Sequence, residues 1–175
     1  MKLIVCLGNP GESYARNRHN IGFRVGEVLC QKYHFEKGAK KHHSAVFEGV
    51  IGTQKCVLLF PQTFMNVSGS AVQSAFQFYK LPLSHILVVY DDFDIPFGTL
   101  RFKEKGSAGT HNGMKDTVLK LGSTDFPRLR IGIGPKPPHG DTADFVLSNF
   151  TKEEESKLPD MCNEASLKIY EWSSQ

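Results

Sequence analysis

Leu3-Ile4-Val5-Cys6-Leu7 is an unbroken apolar run that meets Gly8-Asn9-Pro10-Gly11. A strand without polar alternation has both faces covered, as in the parallel centre of an α/β sheet, and neither strand nor helix continues through Gly-Asn-Pro-Gly. The pattern returns at Ile86-Leu87-Val88-Val89-Tyr90, which leads into Asp91-Asp92-Phe93-Asp94-Ile95-Pro96. Three carboxylates at a strand end are not core material. Between and beyond these runs come apolar stripes at helical spacing: Ile21, Val25, Val28 and Leu29, then Ala71, Val72, Ala75, Phe76 and Tyr79, then Met114, Val118 and Leu121 before the C-cap Gly122. Ala45 to Val50 and Cys56 to Phe60 read as a hairpin through Gly52-Thr53-Gln54, while Thr99 to Lys103 and Leu129 to Gly134 read as further strands.

Strands alternating with helices define the fold class as α/β: a single domain over residues 1-175, with a mixed, mostly parallel twisted sheet and helices on both faces. In the C-terminal segment Thr151 and Glu154 form a capping box, and Pro159 predicts a kink or two short helices. No apolar run approaches the ~20 residues that cross a bilayer, and the N-terminus has no cleavage-site pattern, so no membrane association is expected. Cys6, Cys30, Cys56 and Cys162 stand singly in apolar segments without C-x-x-C spacing, which predicts reduced thiols and a cytoplasmic protein. The net charge of +3 permits a polyanionic partner without requiring one. Its clustering at Lys37 to His43, at Arg101, Lys103 and Lys105, and at Arg128 and Arg130 is more informative, although each cluster alone also fits an ordinary solvated face.

In open α/β sheets chemistry gathers at strand ends. Ile21 starts a helical pattern with Asn17 or Asn20 as N-cap, which places His19 at a helix N-terminus, where the helix dipole favours the neutral imidazole that can take a proton from water. Asn9, Asn20 and Tyr14 add amides and a hydroxyl to the same loop. Two further junctions, Gln62-Thr63-Phe64-Met65-Asn66 and the Gly-rich Gly106 to Gly113 with His111-Asn112, converge with Asp91 if the strands are parallel. A histidine oriented by Asp91 and flanked by Asn9, Asn66 and Asn112 has the parts of a water-attacking hydrolase: a base, its orienting carboxylate and donors for an oxyanion. Other chemistries are less well equipped. There is no G-x-S-x-G elbow, no H-E-x-x-H, and no G-K-[ST] after the Gly-rich loop, where Met114 precedes Lys115, so neither metal nor cofactor is expected.

The strings Gly8-Asn9-Pro10-Gly11, Arg18-His19-Asn20, Thr63 to Gly69, Asp91 to Pro96, His111-Asn112-Gly113 and Arg128 to Gly134 resemble, in order over nearly the whole chain, the bacterial peptidyl-tRNA hydrolase family. The resemblance implies metal-independent hydrolysis of the ester joining a peptide to the 3′ ribose of tRNA, which recycles tRNA from prematurely released chains. The partner so implied is tRNA carrying a peptide or an N-blocked amino acid, met by a monomer. By motif position His19 is the implied proton acceptor, Asp91 its partner, and Asn9 the residue that separates blocked from free α-amino groups. Tyr14, Phe64, Met65, Asn66 and Asn112 are the implied substrate contacts, and Lys103 with Arg130 the clamp for the tRNA 5′ phosphate. Two departures from the family pattern stand out: Thr110 where glycine is expected, and an end at Trp172 to Gln175 short of the family's usual end.

Two other functions compete with this one. An RNA-binding module could keep the fold without catalysis, but His19, Asp91 and the asparagines are intact. A small-molecule esterase would cleave a nitrophenyl ester as readily as the tRNA conjugate, and the basic clusters argue against it.

Overall fold

In the computed structural model, which describes all 175 residues, seven strands form one sheet. They are β1 (Lys2–Cys6), β2 (Glu36–Lys37), β3 (Ser44–Ile51), β4 (Gln54–Pro61), β5 (Ile86–Pro96), β6 (Leu100–Lys103) and β7 (Arg128–Gly134), in the order β2-β3-β4-β1-β5-β7-β6. The centre, β4-β1-β5-β7, is parallel, and antiparallel pairings close both edges. The helices are α1 (Ile21–Lys32), α2 (Ser68–Tyr79), α3 (Asn112–Leu121), α4 (Thr142–Val146) and α5 (Lys152–Ser173).

Alternation along the central strands splits the core in two. Ile4, Cys6, Leu87, Val89, Leu129 and Ile131 point to the face covered by α1 and α5, and pack with Val25, Leu29, Ala165 and Ile169. Leu3, Val5, Leu7, Val88 and Tyr90 point to the other, against Ala71, Val72 and Ala75 of α2 and Met114 of α3. Each such buried side chain contributes roughly 1.5–3 kcal/mol, which explains why the central strands are apolar throughout.

Three expectations are corrected. β5 does not stop at Tyr90. It carries the acidic segment to Pro96, with an irregularity between Asp92 and Pro96, because β7 pairs with it along that stretch. Asn20 precedes α1 without capping it by its side chain, which it spends on the β1 loop. α5 is one continuous helix through Pro159. That proline lies on the exposed side, so it forfeits one backbone bond at the surface, while Leu158, Met161, Cys162, Ala165 and Ile169 hold the opposite side in the core. The capping box of Thr151 and Glu154 is present in both directions. α4 was not read from the sequence; five residues are too few for a helical period, although Asp141 caps it through the Ala143 N–H.

Candidate active site

The β1 loop ends in a 3₁₀ turn, Arg18–Asn20, which delivers His19 directly before α1. Gly22 makes this possible. A Cβ there would stand 2.5 Å from the Leu7 carbonyl oxygen and 2.6 Å from that of Val89, so only glycine lets the start of α1 lie on the end of β1 and the middle of β5. Close packing brings His19 against Asp91 on β5. Its Nδ1 donates to Oδ2 at 2.9 Å and lies 3.0 Å from Oδ1, and both side chains are buried. His19 Nε2 has no hydrogen-bond partner in the protein, and His19 lines an open cleft.

His111, part of the His111-Asn112-Gly113 motif but without a role assigned from the sequence, also reaches Asp91, with Nε2 2.9 Å from Oδ1. The two imidazole centroids lie 4.9 Å apart. Burial by itself would raise the Asp91 carboxyl, but His19 and His111 outweigh it and hold it well below the usual carboxylate range. For His19 burial disfavours the imidazolium, yet the charge and hydrogen bond of Asp91 prevail and push it up. The carboxylate expected to orient His19 thus also raises its basicity, where the helix N-terminus alone was expected to favour the neutral ring. His19, Asp91 and His111 together could supply three ligand atoms within 4.8 Å of one another, but they spend those atoms on each other.

The amides are fixed as well. Asn20 accepts from the Asn9 N–H and donates to the Asn9 carbonyl, each at 2.9 Å, so the β1 loop is clamped in a closed pair. Asn9 Oδ1 accepts the Met65 N–H at 2.7 Å, which leaves the Asn9 side-chain NH₂ as the group free for the cleft. The cleft has a volume of about 850 Å³, and Asn9, Tyr14, His19, Phe64, Met65, Asn66, Asp91, Asn112 and Arg130 all line it. Within this lining Met65 is buried, whereas Phe64 is exposed and meets Tyr14 edge-on at 6.2 Å. Thr110 sits in this wall without strain, because the left-handed conformation of the Gly-rich loop falls on Gly109.

Lys103 alone among the expected site residues lies outside the cleft lining, exposed on β6 and without a carboxylate partner. Arg130 is in the cleft but shared with Asp92 at 3.2 Å. Arg128, grouped with Arg130 in the sequence, is buried and donates to the carbonyls of Ser107, Thr124 and Phe126, so it holds the Gly-rich loop from beneath. α4 supplies another wall through Thr142, Ala143 and Val146. Arg18 ties it down, its guanidinium donating to Ser148 Oγ, the Asn149 carbonyl and Glu154 while lying over the Phe145 ring.

Fold and site define a class: an α/β protein whose parallel strand ends present a carboxylate-held histidine and several amides in one cleft. Residues 3–175 match the family model for peptidyl-tRNA hydrolase. The chain is 54% identical over 167 residues to the peptidyl-tRNA hydrolase of Roseiflexus sp. (strain RS-1), covering 95% of this chain and 77% of that protein. It is likewise 54% identical to that of Chloroflexus aggregans, over 92% of this chain and 86% of the relative. The crystal structure of peptidyl-tRNA hydrolase from Acinetobacter baumannii superposes with a TM-score of 0.84 at 33% identity, covering 99% of this chain and 94% of that one. The chain belongs to the peptidyl-tRNA hydrolase family.

Proposed function

We propose that this protein hydrolyses the ester between a peptide, or an N-blocked amino acid, and the 3′ ribose of tRNA, using water activated by His19. The observation that carries this reading is the His19–Asp91 pair, with Nδ1 spent on the carboxylate and Nε2 left for the cleft. In the first step Nε2 takes a proton from water while the water oxygen bonds to the ester carbonyl carbon. Asp91 fixes the tautomer and stabilises the imidazolium. The carbonyl electrons move onto oxygen, and amide donors from Asn9, Asn66 and Asn112 stabilise that oxyanion, a term of roughly 2.7–4 kcal/mol per donor in comparable sites. As the intermediate collapses, the bond to the ribose oxygen breaks and the imidazolium returns the proton to the departing ribose.

Because Asn9 offers N–H donors, a substrate carbonyl satisfies it, while the ammonium of a free aminoacyl group would face like polarity and lose its solvation. Tyr14, Phe64 and Met65 form the apolar wall for the acyl or adenosine end. Lys103 and Arg130 hold the 5′ phosphate, with Arg130 supplying planar donors at the cleft and Lys103 a point charge beside it. In this reading the enzyme acts as a cytoplasmic monomer, consistent with four unpaired cysteines and no helix long and apolar enough to cross a membrane. The test is peptide release from N-acetyl-aminoacyl-tRNA beside a free aminoacyl-tRNA and a nitrophenyl ester. Efficient turnover of the first alone supports the reading; equal turnover of the nitrophenyl ester makes the protein a general esterase, and no turnover of any makes it a binding module.

A further inference from the structure

We propose that His111 is a positioning residue of the hydrolytic site: by donating its Nε2–H to Asp91 it shares the carboxylate with His19 and thereby sets the pH at which His19 becomes free to accept a proton. The proposal rests on the reading of His19 as the base.

Its hydrogen bonds assign the tautomer of His111. Nδ1 accepts the Met114 N–H at 3.2 Å, so the ring proton is on Nε2, and that nitrogen donates to Asp91 Oδ1 at 2.9 Å. The same oxygen lies 3.0 Å from His19 Nδ1, while Oδ2 faces only His19, at 2.9 Å. Asp91 is buried, so water does not dilute the competition, and every donor that spreads its charge weakens its hold on the His19 imidazolium. Nothing else ionisable joins the group by hydrogen bond. Tyr90, next to Asp91 on β5, packs on the His111 ring at 4.9 Å and is pushed up to about 12, chiefly by burial. Asp92 pairs with Arg130, Lys136 with Thr142 and Asp141 with the Ala143 N–H, while the Asp94 side chain, in the same cleft lining, makes no hydrogen bond to the group.

His111 has a second task, capping α3, and the two are separable. His111→Asn keeps a good N-cap oxygen for the Met114 N–H but is too short to reach Asp91. His111→Gln is long enough to donate to Asp91 and is a poorer cap. The measurement is kcat/KM against pH on N-acetyl-aminoacyl-tRNA, with thermal melts of both variants. His111→Asn should hold His19 protonated to higher pH, lowering the acid side of the profile about three- to tenfold and leaving the alkaline plateau within about twofold. His111→Gln should restore the parental profile despite a lower Tm. His111→Ser, another capping residue too short for Asp91, gives the same reading should the asparagine variant not fold. A profile for His111→Asn that superimposes on the parent, or falls equally at every pH, overturns the proposal. Should His19→Ala remain active, the assignment of the base fails first; should it be dead while His111→Asn is unchanged, only the role of His111 fails.

Discussion

At the scale of single residues the site is a contest for one buried carboxylate. Replacing Asp91 by asparagine removes the charge that raises His19 and leaves burial unopposed, so the acid limb of the kcat profile should move to lower pH. At the same time kcat should fall about 10²–10⁴-fold, because nothing fixes the tautomer or stabilises the imidazolium. Unchanged kcat with an unmoved acid limb would refute the pairing. For Asn9→Ala we expect the ratio of kcat/KM for N-blocked over free aminoacyl-tRNA to shrink by about tenfold or more; a constant ratio would remove Asn9 from discrimination. His19 and Asn9 were legible in the sequence because they stand in the turn-rich loop that follows β1, and Asp91 because it opens an acidic stretch that an apolar run does not need. His111 was not. Its bond to Asp91 spans 20 residues and exists because α3 begins beside the middle of β5, which no local pattern reveals.

At the scale of elements, what could be read were periods and caps, and what could not were features that tertiary packing decides. The stripe of α1, the hairpin of β3 and β4, and the Gly122 cap emerge as expected. β5 ran past its predicted end because a neighbouring strand pairs with it, and α5 absorbed Pro159 because its apolar side is anchored on the sheet. The latter is measurable: Pro159→Ala restores a donor for the Glu155 carbonyl and should raise Tm, by at most about 3 kcal/mol of stability, without changing turnover. A lower Tm would mean that the proline suits a local geometry the helix needs. Arg18 joins the His19 turn to α4 and α5, and its side chain is largely buried with that of Glu154 partly so. Arg18→Ala should cost about 3 kcal/mol in urea unfolding and raise KM more than it lowers kcat, since the α4 wall loosens while the His19–Asp91 pair persists. Equal KM would detach Arg18 from the cleft.

For the molecule as a whole, stability and activity should have different pH optima. Asp91 is depressed, so its contribution is complete above its ordinary value of 3.8 and disappears as pH falls through its lower folded value. His19 is raised, so its contribution is complete below its ordinary 6.5 and disappears as pH rises through its higher folded value. The pair therefore stabilises most between these ordinary values, where His19 is protonated and cannot act as a base, and turnover should peak on the alkaline side of the Tm maximum. Coincident maxima would contradict the linkage. Binding of tRNA belongs to this scale too. Lys103→Ala with Arg130→Ala should raise KM with kcat nearly intact and reduce the salt slope of log K by about one to two units, since each lost phosphate contact removes roughly 0.7–0.9. Because Asp92 already holds Arg130, Lys103 should carry the larger share of that loss. An unchanged slope would turn attention to the basic run from Lys37 to His43. The central claim is that His19 acts on water and not on tRNA binding, and single-turnover release of N-acetyl-amino acid from tRNA by His19→Ala, measured beside its tRNA Kd, tests it most directly. The account predicts a rate reduced at least about 10²-fold with Kd within about threefold of the parent; a parental rate, or a loss explained entirely by a weakened Kd, would contradict it.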